Sequence, residues 1–238
     1  MNYAAINAKL SAMGSRLLKP HDYEALNNVA PADLRQTIIE AAALICRYIT
    51  DKTQRSYITA MAAAAFQEGK LHYYTTQWKS LNRLDKSNRS ALRHTLGVEI
   101  DLNNILWMYR LKRYHRITGD PTYGHLIPIR YKLSHETTRR MAVCTTPKAL
   151  LEEVALSPYA ADFALMSAKD TGQTAWTSLQ SASNVTPEQA LAQVIDRRYQ
   201  IAARNFPNSL APALAYLHRK KLEIQNLIAS AEAGDQNW

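Results

Sequence analysis

Apolar residues recur every three or four positions along nearly the whole chain, the spacing of one face of an α-helix. A first helix is predicted over 2–18 and a short one over 21–28, after Lys19-Pro20. Ala30-Pro31-Ala32-Asp33 opens the next, with Pro31 near the first helical position, where its missing N–H costs nothing. That helix carries Leu34, Ile38, Ile39, Leu44 and Ile45. Helices follow over 57–68, with Gly69 as C-cap, and over 71–84.

The longest periodic run covers 87–118. Leu92, Leu96, Ile100, Asn103, Trp107, Leu111 and Tyr114 follow one another at spacings of 4, 4, 3, 4, 4 and 3. A second stripe holds Val98, Leu102, Ile105, Leu106 and Tyr109. A helix apolar on two faces is buried between neighbours, so Leu96, Ile100 and Trp107 are expected in the core of a central spine. Glu99 and Asp101 interrupt the apolar stretch, and neither has a cation three or four positions away. Their partners must be water or another element, and ion pairs or hydrogen bonds to another helix are the reading that fits a buried pair, a buried ion-pair network first among them. Gly119-Asp120-Pro121 ends the run.

Beyond it, 123–133 reads as a loop containing Pro128, and 135–143 and 147–156 as short helices. After Ser157-Pro158 comes a weakly marked helix over 160–182, with Gly172 inside it. Thr186-Pro187-Glu188 starts a helix to about residue 205, and Ser209 caps a last long one through 231. The expected class is all-α. A weak internal repeat supports a repeated helical unit: Leu18 to Leu26 ahead of Pro31, Leu34 and Ile38 is echoed by Leu133-Ser134-His135 and Met141 ahead of Pro147, Leu150 and Val154.

Composition changes this picture little. Apolar residues make up 47% of the 238 positions, enough for a core, and 7 Gly and 9 Pro are too few for the turns of a sandwich or barrel. No apolar run is long enough to span a membrane, and residues 1–18 lack the apolar block of a signal peptide. Cys46 and Cys144 are then expected as free thiols.

Charge adds more. The formal net charge is +9, and nine cations against four acids lie between positions 93 and 140. Tyr109-Arg110-Leu111-Lys112-Arg113-Tyr114-His115-Arg116 interleaves cations with aromatics. Such a run suits a solvated helix end, an acidic protein or lipid surface, or a nucleic acid. The exposed cluster Arg110, Lys112, Arg113 and Arg116 is the candidate partner contact.

Catalytic chemistry is not legible. There is no phosphate-binding glycine loop, no dinucleotide fingerprint, no nucleophile elbow and no H-E-x-x-H. The seven histidines include no i, i+3 or i, i+4 pair for a metal. Glu152 and Glu153 are adjacent, and Glu99 and Asp101 two apart, so neither pair converges on one substrate. No catalytic, cofactor-binding or metal site is expected. The rival readings are a basic helical nucleic-acid-binding protein and a helical enzyme, which would need polar groups converging in a pocket.

Glu99-Ile100-Asp101-Leu102-Asn103-Asn104, followed by Arg110 and Lys112, resembles the E-I-D-x-x-N and R-x-K segments of a V-type ATPase family, the prokaryotic C subunits, whose eukaryotic counterparts are the d subunits. Ile127-Pro128 with Tyr131-Lys132-Leu133 is similar to that family's I-P-x-x-Y-K-L turn. Tyr216, Lys220, Glu223 and Asn226 resemble its closing Y-x-x-x-K-x-x-E-x-x-N helix. The opening, from Asn7 through Leu18 to Tyr23 and Leu26, is similar as well. Family members are usually longer and built from three similar helical bundles. This chain looks like a compact version, with 51–56 and 167–184 as places where units are shortened.

The resemblance implies repeated small helical bundles joined into one elongated or funnel-like molecule. The expected division is a first bundle over 1–86, the long helix and a second bundle over 87–160, and C-terminal helices over 161–238. It implies a non-catalytic central-stalk part, peripheral on the cytoplasmic side of the membrane, which links the ion-translocating ring to the central shaft. Ring and shaft subunits are then the partners, with the membrane surface as a further contact, and no cofactor is required. Glu99, Asp101, Asn104, Trp107, Tyr216, Glu223 and Asn226 are the structural motif residues that the resemblance singles out.

Overall fold

A computed structural model describes residues 3–14, 17, 31–64, 70–161 and 187–234. The helices are α1 (Tyr3–Gly14), α2 (Pro31–Cys46), α3 (Lys52–Ala64), α4 (Lys70–Ser80), α5 (Lys86–Arg110), α6 (His135–Val143), α7 (Pro147–Ala155), α8 (Pro187–Asn205) and α9 (Ala211–Gly234). Three shorter turns join them: 3-10 turns at Leu81–Arg83 and Asp120–His125, and a π-turn at Leu111–His115. The fold is all-α, with no strand among the described residues. The helix expected over 21–28, most of that over 160–182, the first copy of the repeat up to Leu26, the Gly69 and Thr186 caps and the shortening expected over 167–184 lie outside those residues.

The chain divides into two compact units. One comprises Met1–Gly69, Thr76–Leu92 and Tyr199–Trp238; the other comprises Lys70–Thr75 and Arg93–Arg198. In the first unit α2 packs against α3 and α9, and α1 against α9 and α2. Each helix contributes a stripe: Ile6, Leu10 and Met13 from α1, Ile38, Ala41, Ala42 and Ile45 from α2, Ile58 and Ala62 from α3, and Leu214, Leu217, Ile224 and Leu227 from α9. Burying each large aliphatic side chain is worth about 1.5–3 kcal/mol.

Side-chain caps set the ends. Asp51 Oδ1 accepts the Gln54 amide at 2.8 Å and starts α3. Segment 51–56 is therefore a capped helix start. The sequence pattern hides it because Lys52, Thr53, Arg55 and Ser56 carry no apolar period. Arg55 also donates to the carbonyls of Ile49 and Thr50, both at 2.8 Å, closing the turn after α2. Asp85 Oδ1 accepts the Asn88 amide at 3.0 Å and starts α5. Asn88, fully buried, receives the Leu210 amide on Oδ1 at 2.6 Å and donates to Tyr3 Oη at 3.2 Å. Ser209 Oγ then accepts the Ala211 amide at 3.0 Å at the head of α9.

The second unit is built on the remainder of α5. Val98, Leu102, Ile105 and Met108 pack with Leu133, Met141, Leu150, Val154, Tyr159, Leu191 and Val194. Ser134 and Thr146 cap α6 and α7 by accepting the Thr137 and Ala149 amides at 3.0 and 3.1 Å. Beyond Arg110 the spine widens into the π-turn and ends at Arg116, which has φ of 55°, the left-handed conformation that usually falls to glycine. The break therefore comes before Gly119, earlier than the sequence pattern implies, and Asp120-Pro121 begins a 3-10 turn. No helix among the described residues is long and apolar enough to cross a membrane.

Candidate functional site

The polar positions of α5 form two working faces. On the first, His94, Gly97, Asp101 and Asn104 follow at steps of 3, 4 and 3, so they share one side of the helix. Segment 126–134 lies against this side. Asp101 is fully buried. Its Oδ1 accepts the Tyr131 amide at 3.0 Å, and its Oδ2 accepts the Lys132 amide at 2.6 Å, the Leu133 amide at 3.0 Å and the Tyr159 hydroxyl at 2.6 Å. Three successive backbone amides thus form an anion-holding nest around a buried carboxylate.

One turn further, Asn104 grips both backbone groups of Ile127: Oδ1 accepts its amide at 2.8 Å and Nδ2 donates to its carbonyl at 3.0 Å. At the other end Tyr131 lies over Gly97 so closely that a Cβ there would stand 2.3 Å from Tyr131 Cγ. His94 Nδ1 and the Tyr131 hydroxyl are 3.0 Å apart. The E-I-D-x-x-N helix and the I-P-x-x-Y-K-L turn, read separately in the sequence, are the two halves of one clasp.

The second face carries Glu99 and Asn103. Tyr74 of α4 donates to Glu99 Oε1 at 2.7 Å. Asn103 Nδ2 donates to Tyr74 Oη at 3.1 Å and to the Glu99 carbonyl at 2.8 Å. Burial, with the neighbouring Glu99 charge, pushes the Tyr74 phenol well above its ordinary value, so it stays a donor. The two carboxylates do diverge, and other elements hold both. For Asp101, hydrogen bonds take the place of an ion-pair network, and they come from turns and not from another helix: among the described residues its partners are the amides of 131–133 and the Tyr159 phenol. A turn with three aligned amides desolvates a carboxylate without having to bury a cation as well.

Two other expectations are corrected. Trp107 is half-buried, not a full core residue; it packs on the rim of the second core, with the Arg110 guanidinium 5.7 Å above its ring. Lys112 is not an exposed contact. It is 3% exposed, and its Nζ donates to the Ala142 carbonyl at 3.0 Å near the C-terminus of α6. Burial pushes its ammonium below the ordinary value. The π-turn swings Lys112 inward, where a cation meets the negative end of the α6 dipole. Arg113 and Arg116 remain exposed and Arg110 is half-buried.

On α9, Glu223 is buried and paired with Lys220, and Tyr216 is half-buried, its phenol pushed up by burial and by Glu223. Asn226 is exposed, so the packing role read for the closing motif does not extend to it. The clasp itself was missed in the sequence, although the 3, 4, 3 spacing of His94, Gly97, Asp101 and Asn104 was there to read.

A chain of packed helices whose buried polar side chains hold its own backbone in place is, by architecture, a helical scaffold. The chain belongs to the ATP synthase (C/AC39) subunit family, which matches residues 69–237 and so takes in both the clasp and the Tyr216–Asn226 motif. It is a subunit of a V-type ATPase, and its partners are other subunits of that complex. No curated protein sequence matches the chain.

Proposed function

We propose that this subunit is a non-catalytic rotor element, peripheral on the cytoplasmic side of the membrane, which joins the ion-translocating ring to the central shaft and keeps ATP turnover and ion movement coupled. The observation that carries this reading is the clasp within the family-matched region. There the most distinctive polar residues, Asp101 and Asn104, are spent on bracing segment 126–134 against α5. A part under torque needs interior stiffness, which close packing and saturated buried hydrogen bonds supply. In this reading the ring meets the outer end of the helical bundles and the shaft the opposite end. The nucleic-acid reading loses support, because Lys112, central to its basic run, is buried.

Removing the subunit from the purified complex tests the role. ATP hydrolysis is expected to persist while ATP-driven ion transport into vesicles is lost, and re-adding the chain restores transport. Complexes that pump with full coupling in its absence would overturn the proposal.

A further inference from the structure

The basic run at the end of α5 divides by what each cation already touches. Lys112 is committed to Ala142, Arg110 covers Trp107, and Arg140 pairs with Glu153 at 3.0 Å. Arg113, Arg116 and Arg139 are exposed, and among the described residues their side chains make no hydrogen bond or ion pair. The segment that bears the first two is fixed to the end of α6, since Lys112 Nζ and the Gly119 amide, at 3.0 and 2.9 Å, share the Ala142 carbonyl. Arg116 is held in a left-handed conformation that costs a non-glycine residue of order 1 kcal/mol. Tyr114, 67% exposed, lies between the two arginines in the chain. Val143, 58% exposed, and Arg139 line an open groove of about 430 Å³ where α6 meets α7, together with Glu136 and the Arg140–Glu153 pair.

We infer that this anchored π-turn and the end of α6 form a docking face for a carboxylate-bearing, amphipathic segment of another subunit of the V-type ATPase. Arg113, Arg116 and Arg139 take its acids, and Tyr114 and Val143 its apolar side. The inference rests on the chain working within that complex and gives the complex a located contact. The side-chain chemistry favours a protein partner over lipid. All three free cations are arginines, whose planar forks pair bidentately with carboxylates, whereas attraction to an anionic lipid surface is indifferent between lysine and arginine. Arginine and tyrosine are also the residue types that dominate protein–protein contacts.

The test is rebinding of purified chain to complex stripped of it, at low and at physiological ionic strength, with vesicles containing phosphatidylserine in parallel. Wild-type rebinding is the baseline; its failure would count against the rotor role, not against this face. Given wild-type rebinding, the triple change Arg113→Glu, Arg116→Glu, Arg139→Glu is expected to weaken it by about 100-fold or more. The charge-conserving Arg113→Lys, Arg116→Lys, Arg139→Lys chain is expected to weaken it by about 10-fold, through loss of bidentate pairing. Circular dichroism and melting should match wild type in both. Rebinding of the lysine chain at full strength, indifference to the glutamate changes, or vesicle binding by wild type that the glutamate changes abolish would each overturn the assignment.

Discussion

Asp101 is buried in the second unit's core and is held by three amides and a phenol. Replacing it with Asn keeps the shape but turns one acceptor into a donor that faces donors. Asp101→Asn should therefore lower unfolding stability by about 3 kcal/mol, since a hydrogen bond to a charge is worth more than a neutral one and orphaned amides add their own cost. Urea denaturation gives the answer, and a loss within error would show that the nest does not hold the turn. That Asp101 is structural was legible in the sequence, because it has no cation within a helical turn. Its actual partners were not: backbone amides carry no signature in a sequence, and every non-proline residue has one.

At the scale of the element, α5 is decided by its start and by its clasp face. Burial pushes the Asp85 carboxyl up, but hydrogen bonds from the Asn88 side chain and amide and from Gln54 outweigh it, and the net value lies below the ordinary 3.8. A carboxyl depressed in the folded state stabilises fully above its unfolded value, and that contribution fades as pH falls through the folded one. Asp85→Asn should flatten this acid-side loss, seen in urea midpoints followed below about pH 4, and lower neutral-pH stability, because the new amide nitrogen faces the Asn88 and Gln54 donors even though Asn can still cap the helix. Gly97 is read oppositely from sequence and from structure. By helix propensity, Gly97→Ala should gain about 1 kcal/mol. With Tyr131 Cγ 2.3 Å from the new methyl, it should instead lose about 1–3 kcal/mol by overpacking. Gly97→Ala combined with Tyr131→Ala should recover most of that loss relative to Tyr131→Ala alone. Additive losses would mean that the close approach is not the cause.

For the whole molecule, charge matters more than shape. With the docking face inferred above, a net charge of +9 and exposed Arg113 and Arg116 at the end of α5 would make association with the other subunits electrostatic in part. Raising ionic strength should weaken rebinding of the wild-type chain progressively, because exposed charges are screened within about 8 Å at physiological salt. Arg113→Glu with Arg116→Glu should reduce that salt slope. Equal slopes for the two chains would move the electrostatic contact elsewhere on the surface.

The sequence by itself determined the helical class, most of the helix boundaries and the buried stripes of α5. Each of these follows from local rules: a 3.6-residue period, a Ser or Thr cap, a proline that can begin a helix but not continue one. The family-like segments were also legible, because they are runs of neighbouring residues. Only the tertiary structure decided that two of those segments close on each other through Asp101 and Asn104, and that a helix starts at Asp51. It also decided that Trp107 sits on a rim and that Lys112 points inward while Arg113 and Arg116 point out. The physical reason is common to the last three: burial belongs to a residue's surroundings. The π-turn over Leu111–His115, with one extra residue in its repeat, places Lys112 inward and Arg113 outward and so decides which cations meet solvent.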